Sequence, residues 1–371
     1  MMTVTLLEGD RISAVRDYVK RTWRLLRRGH DTLLAAAEDP KLDHVAGEPW
    51  PVYLSKKENL EAVQERLSKE IPDDFEQIVL QHLPEDSGEI TEHGLLYLPG
   101  EYVVPGGRFN EAYGWDSYFI LLGLLLDNEI DLAKSLTEQL LYQVVHYGAV
   151  LNANRTYFLS RSQPPLLSRM VLKLYERTGD LAWLKRTVPT LTAYYEYWLA
   201  DEHTHRESGL SRFYDFGAGP APEVVASEKD EAGKTHFDRI KAYYRQNEVA
   251  EYDVSLYYDA ERDELTDLFF KGDRTMRESG FDPTNRFGPF SVDVLFYLPV
   301  CLNALLCQME KDMAEICERV GARSEIWQRR AGDRAEAINR YLWDEEKGLY
   351  FDYNTAAECR SQYEFASMFY P

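Results

Sequence analysis

The chain has 371 residues, enough for one large domain or two ordinary ones, and 44% of them are hydrophobic, so a large core is available. With 63 acidic against 42 basic side chains the net charge is -21, which argues against nucleic acid and against anionic membranes as partners.

The amino-terminal MMTVTLLEGDRISAVRDYVK has no basic segment followed by an apolar one. It therefore reads as neither a secretion signal nor a membrane span, and the expected location is the cytoplasm. Residues 10 to 37 predict a helix rich in arginine, an outer arm. Pro40, Pro49 and Pro51 predict a loop over residues 38 to 56. Residues 57 to 84 are charged and read as helical. LLYLPGEYVVPGG then reads as extended, with turns at its prolines and glycines.

From here the pattern is helical and paired. Asp116 or Ser117 is placed to cap a helix that runs to about Leu126. Leu132, Leu136, Leu140 and Val144 repeat every fourth residue, and Gly148 stops that helix. Ser162 reads as the cap of a third, with Pro164 and Pro165 in its first turn and an end near Gly179. Leu184, Leu191, Tyr195 and Trp198 mark a fourth. The polar stretch from 203 to 290 is too long for one bare loop, so short elements are expected inside it. Leu302, Leu305, Leu306, Met309, Met313 and Ile316 mark a helix, and Ile326, Ala331, Ala335, Ile338 and Leu342 mark its partner. WDEEKGLYFDYN reads as a turn with extended flanks, and a last helix is expected from about Glu364. Strand–helix alternation is lacking, which predicts antiparallel helix pairs, an all-α fold, rather than a parallel sheet.

The four cysteines have no metal-site spacing and read as reduced thiols. His203 and His205 form an HTH triplet with no third ligand nearby in sequence, a poor metal site. Aromatic residues stand at 13%, with 25 Tyr and 7 Trp. That abundance fits equally a large core with wet-tipped tyrosines and a cleft with flat faces for sugar.

Polar clusters recur ahead of successive helix pairs. Arg108, Trp115 and Asp116 precede the first pair. Asn152, Arg155, Arg161 and Gln163 precede the second. Glu223, then Asp282 with Arg286, lie ahead of the third. In stacked helical hairpins those loops share one end, so the clusters are expected to converge on one rim, where helix amino termini favour negative charge. Each has a plainer reading: a cap for Asp116, a simple ion pair for Arg161, a turn for Asn152, a solvated acid for Asp282. Their joint recurrence favours a site. GxSxG, P-loop and dinucleotide fingerprints are absent from the sequence. Carboxylates, arginines and aromatics remain, the equipment of glycoside hydrolysis, which needs a proton-donating carboxyl and a second carboxylate opposite.

PGGRFNEAYGWDSY resembles the first signature of the α,α-trehalases, glycoside hydrolase family thirty-seven. The resemblance continues through LNANRTYFLSRSQPP, GLSRFYDFGAGPAPE, RESGFDPTNRFG and WDEEKGLYFDYN, from Leu96 onward, and is nearest the neutral, cytosolic kind. It implies an (α/α)6 toroid and hydrolysis of α,α-trehalose to two glucoses with inversion, with no metal or organic cofactor. It further implies that Asp282 is the general acid. Arg108, Phe109, Trp115, Asp116, Asn152, Arg161 and Glu223 match its sugar-holding positions, and Arg286 an arginine just after the acid.

Three departures stand out. Phe281 takes the place of a tryptophan, and Ala221 that of an arginine found in some relatives. The QWD-type second signature and the EKYD-like glutamate that serves as base do not occur in residues 1–371. The expectation is therefore a truncated chain. Residues 1–90 would be a helical extension and 91–371 the N-terminal part of the catalytic domain, an incomplete toroid whose base lies beyond Pro371. An inactive sugar-binding fragment and a related toroid oligosaccharide glucosidase are the alternative readings. Oligomeric state leaves no mark in the sequence.

Overall fold

The computed structural model describes residues 9–42, 44–224, 229–282 and 284–371. The arginine-rich arm begins as α1 (Gly9–Leu26), but the helix ends there. Arg27–Arg28 (β1) pairs instead with Tyr102–Val103 (β5), and a short α2 (Leu33–Ala37) follows.

Two expectations fail next. Residues 50–54, expected as loop, form strand β2 (Trp50–Leu54), and the segment expected to be wholly helical holds α3 (Leu60–Glu70), α4 (Pro72–Phe75) and strand β3 (Ile78–His82). With β4 (Leu95–Leu96) they make a three-stranded parallel sheet in the order β3-β2-β4. The sheet that the sequence argued against therefore exists, and the portion before residue 90 is not purely helical. Pro51 misled the reading, because proline is rare in a central strand. Its place explains the tolerance: β4 pairs only with Val52 and Tyr53, so beside Pro51 the ladder has already opened. Val52, Leu54, Leu80 and Leu95 bury against Val63 and Leu67 of α3, a small core of its own.

The remainder is helical hairpins, and the fold is mainly α. Helices α5 (Asp116–Leu126) and α6 (Ile130–Tyr147) pack as one pair, α7 (Leu167–Thr178) and α8 (Leu181–Tyr197) as the next. Short connections force each pair antiparallel. Ala133, Leu136, Leu140 and Val144 line one face of α6, and Gly148 ends it with a φ of 92°. Leu167, Met170, Val171 and Leu174 do the same for α7. Each fully buried leucine of this kind contributes about 1.5–3 kcal/mol relative to exposure. Helices α9 (His236–Gln246) and α10 (Asp267–Glu278) are the short elements of the polar stretch. Then α11 (Val300–Arg319) and α12 (Glu325–Tyr341) form the third pair, and α11 packs on both α7 and α8. Leu302, Leu306, Met309, Met313 and Ile316 join the large core shared by these pairs.

Three local expectations are corrected. Neither Asp116 nor Ser117 caps α5: Trp115 stands at that position, and the Ser117 hydroxyl donates to the Tyr113 carbonyl at 2.6 Å. Ser162 does not cap α7, which begins five residues later after both prolines; its hydroxyl donates to the Val150 carbonyl. The expected last helix is a single 3-10 turn, Ala366–Phe369. Among the described residues no helix is long and apolar enough to cross a membrane.

Candidate active site

The loops before α5 and α7, the stretch after α8, and the end of α10 meet on one side of the helix pairs. Arg161, from the loop before α7, is the hub, with 1% of its side chain exposed. Its Nη1 lies 3.3 Å from Asp215 Oδ2, its Nη2 3.3 Å from Asn152 Oδ1, and Nη2 also pairs with Glu223 Oε1. The guanidinium sits 4.7 Å from the centre of the Phe158 ring, a cation over an aromatic face. Glu223 Oε1 is also 3.8 Å from Nε of Arg277 on the last turn of α10, and Arg277 Nη1 is 3.9 Å from Asp282 Oδ2. One chain of alternating charge thus links Arg161, Glu223, Arg277 and Asp282, with the neutral Asn152 hydrogen-bonded at its start.

Burial alone would raise the Glu223 carboxyl, but Arg161 and Arg277 outweigh it and hold its pKa below the ordinary value. The group is therefore ionised at neutral pH. Its second oxygen, Oε2, is buried and has no hydrogen-bond partner among the described residues, and Arg161 Nε is in the same position. Buried polar atoms left without a partner are the ones a hydroxylated ligand can satisfy.

Apolar surface borders this array. The Trp115 and Phe281 rings meet edge to face with centroids 5.3 Å apart. Gly280, next to Phe281, has a φ of 73°, and a Cβ there would fall 2.9 Å from the Trp115 ring. Glycine is needed there to let the indole in. Trp115 is fixed by its backbone, whose N–H donates to Gln163 Oε1 at 3.0 Å. Asp116 follows it, free of a capping duty. Burial first, and then the charge of Asp282, push its carboxyl pKa up.

The remaining expected residues stand apart. Arg108 is exposed and lies 4.8 Å over the ring of its neighbour Phe109, which packs on Tyr113. Arg286 is buried. Its Nε and Nη2 hold Asp352 at 2.7 and 2.5 Å, and its guanidinium lies between the rings of Phe281, Phe287 and Phe365. Arg286 therefore supports Phe281 from behind. Arg155 is a structural tie, with Nη2 2.8 Å from Glu111 and Nη1 on the Ala37 carbonyl. The HTH triplet divides: His203 is buried with Nε2 3.3 Å from Glu278, while His205 faces Ser208. Asp282 itself is 38% exposed, the most open member of the array.

Arg277, Asp215 and Arg274 were not picked out in the sequence. Arg274 Nε is 3.3 Å from Asp215 Oδ1, so Asp215 holds two guanidiniums. A signal existed: Asp273, Arg274 and Arg277 recur at the three- and four-residue steps of a helix ending just before Asp282.

Comparison with known proteins identifies a family. The family model described as trehalase matches residues 22–371. The cytosolic neutral trehalase of Neurospora crassa is 37% identical over 86% of this chain and 44% of its own length. That of Saccharomyces cerevisiae is 37% identical over 86% of this chain and 43% of its own. Among solved structures, the neutral trehalase Nth1 from Saccharomyces cerevisiae superposes with a TM-score of 0.78 at 29% identity, covering 96% of this chain and 72% of that one. The chain spans about half the length of the curated relatives it matches.

Proposed function

The chain belongs to the trehalase family, and from that premise we propose that it acts on α,α-trehalose, hydrolysing it to two glucoses with inversion, in the cytoplasm. The observation that carries the reading is the single run of charge from Arg161 through Glu223 and Arg277 to Asp282, bordered by Trp115 and Phe281. A disaccharide needs bidentate donors and ionised acceptors for its hydroxyls and a flat apolar face for its rings. Arg161, Asn152 and the open Oε2 of Glu223 would hold one ring, with Asp116, Arg108 and Phe109 around it. Asp282 would donate its proton to the glycosidic oxygen as that bond breaks. Arg277, between Glu223 and Asp282, would stabilise negative charge on both. Arg286 acts only through Phe281. We assign the general base to no residue of this chain, because Arg161 and Arg277 hold the Glu223 pKa below its ordinary value, which makes it a hydroxyl acceptor and a weak proton acceptor. We keep the division into residues 1–90 and 91–371, with the sheet bridging the two through β4.

The exposure of Asp282 favours a second reading, in which these residues bind the sugar without turning it over. One assay separates the two. Glucose release from trehalose is measured for the protein and for Asp282→Asn. Hydrolysis predicts release that falls by about 10²–10⁴-fold in the variant, the range of general acid catalysis. Trehalose binding with no release establishes the second reading. Release unchanged by Asp282→Asn contradicts the acid assignment.

A further inference from the structure

Glu278 is the last residue of α10, and its side chain is fully buried. Both of its oxygens are used. Oε1 accepts the Ser162 N–H at 3.0 Å and the Tyr197 hydroxyl at 2.7 Å. Oε2 accepts the Tyr214 N–H at 2.7 Å and lies 3.3 Å from His203 Nε2. The two amide donors come from loops 116 and 64 residues away in the chain. Each stands one residue from a member of the charged array. Ser162 follows Arg161 and precedes Gln163, which holds the Trp115 N–H. Tyr214 precedes Asp215, which pairs with Arg161 and Arg274. On its own strand of chain, Glu278 follows Arg277 and lies four residues before Asp282.

We propose that Glu278 is a positioning residue, the carboxylate that sets the spacing of Arg161, Asp215, Arg277 and Asp282 by tying their three backbone segments to one point. The last turn of a helix offers only its own carbonyls as acceptors; the Glu278 side chain adds two more oxygens, which reach the N–H groups of two separate loops. Two N–H donors on opposite oxygens also fix the plane of the group, so rotation about its last bond breaks at least one of them. Glutamine fills the same space but offers only one acceptor oxygen; its amide nitrogen would face Ser162 N–H or Tyr214 N–H donor to donor. The proposal rests on the trehalose reading for what the array binds, but not for how the array is held.

The test uses the full chain and Glu278→Gln. Backbone hydrogen exchange is followed in peptides spanning residues 158–166 and 211–217, and trehalose affinity is followed by tryptophan fluorescence. In the variant, the Ser162 or Tyr214 amide exchanges about tenfold faster or more, consistent with loss of a charge-assisted bond, while α11 amides keep their rates. Trehalose affinity falls about tenfold or more while amides of α11 keep wild-type exchange, a local pattern that general destabilisation does not give. Wild-type exchange at both amides overturns the proposal. Should Glu278→Gln fail to fold, Glu278→Asp keeps the charge but retracts it by one methylene; faster exchange at the Ser162 or Tyr214 amide supports the proposal and unchanged rates at both refute it. A wild-type protein that ignores trehalose sinks the substrate reading, and the exchange data still decide the role of Glu278.

Discussion

At Gly280 a single missing methyl decides the shape of the candidate site. The residue adopts a φ of 73°, a region that side-chain-bearing residues rarely enter, and its α-carbon faces the Trp115 ring. Gly280→Ala therefore meets two costs, backbone strain and a clash at 2.9 Å with a ring that cannot withdraw freely. The expected result is destabilisation of about 1–3 kcal/mol, read in urea unfolding, and a shift in the tryptophan emission of the folded protein. An alanine variant with wild-type stability and spectrum would show that Trp115 is not held against this turn. The same scale explains what was legible. Asp282, Arg161, Trp115 and Glu223 are residue types with evident chemistry, set in motifs that the resemblance singled out. Their partners were not legible, because an ion pair such as Arg161–Asp215 joins residues 54 apart and leaves no spacing to read. The partner of Arg286 was hidden for the same reason: its sequence neighbourhood shows the acid loop, whereas its guanidinium pairs with Asp352, 66 residues on.

Among elements, the helices with strict apolar periodicity were predicted well, and α6, α7, α8, α11 and α12 lie within a few residues of their expected bounds. The parallel sheet was missed because its strands are two to five residues long and one contains proline, so neither period nor composition marked them. Caps were misplaced where a serine or aspartate near a helix start had another partner, as Ser162 has in the Val150 carbonyl. Packing between elements contributes its own pH dependence. Asp312 of α11 accepts from Ser168 Oγ at 2.8 Å and Arg169 Nη1 at 2.9 Å on α7. Burial raises its pKa to about 6, the flanking donors notwithstanding. The unfolded carboxyl titrates near 4, so between about pH 4 and pH 6 the folded state holds a proton that the unfolded state has lost. The resulting stability is fully present below about pH 4 and is lost as pH rises through about 6. Asp312→Asn removes that dependence. The difference in unfolding free energy between wild type and variant should thus change by about 3 kcal/mol between pH 4 and pH 7, in favour of wild type at the acid end. An equal difference at both pH values would refute the assignment.

For the whole molecule, three loops and the end of α10 bring their side chains to one side, while a net charge of -21 is spread over the chain. That overall charge has no bearing on the neutral disaccharide proposed as substrate. The local site runs against it, gathering Arg161, Arg274 and Arg277 where their carboxylate partners leave donors and acceptors open. Its two halves differ in openness: Arg161 and Glu223 lie in a buried, fully assembled cluster, and Asp282 stands at the exposed margin. The most direct measurement is a crystal structure of the protein with trehalose bound to Asp282→Asn. The account predicts one glucose ring on Asn152, Arg161 and Glu223 Oε2, its face against Trp115 or Phe281, and the glycosidic oxygen within hydrogen-bonding reach of residue 282. Trehalose bound elsewhere, or bound here with residue 282 turned away from the glycosidic oxygen, would contradict it.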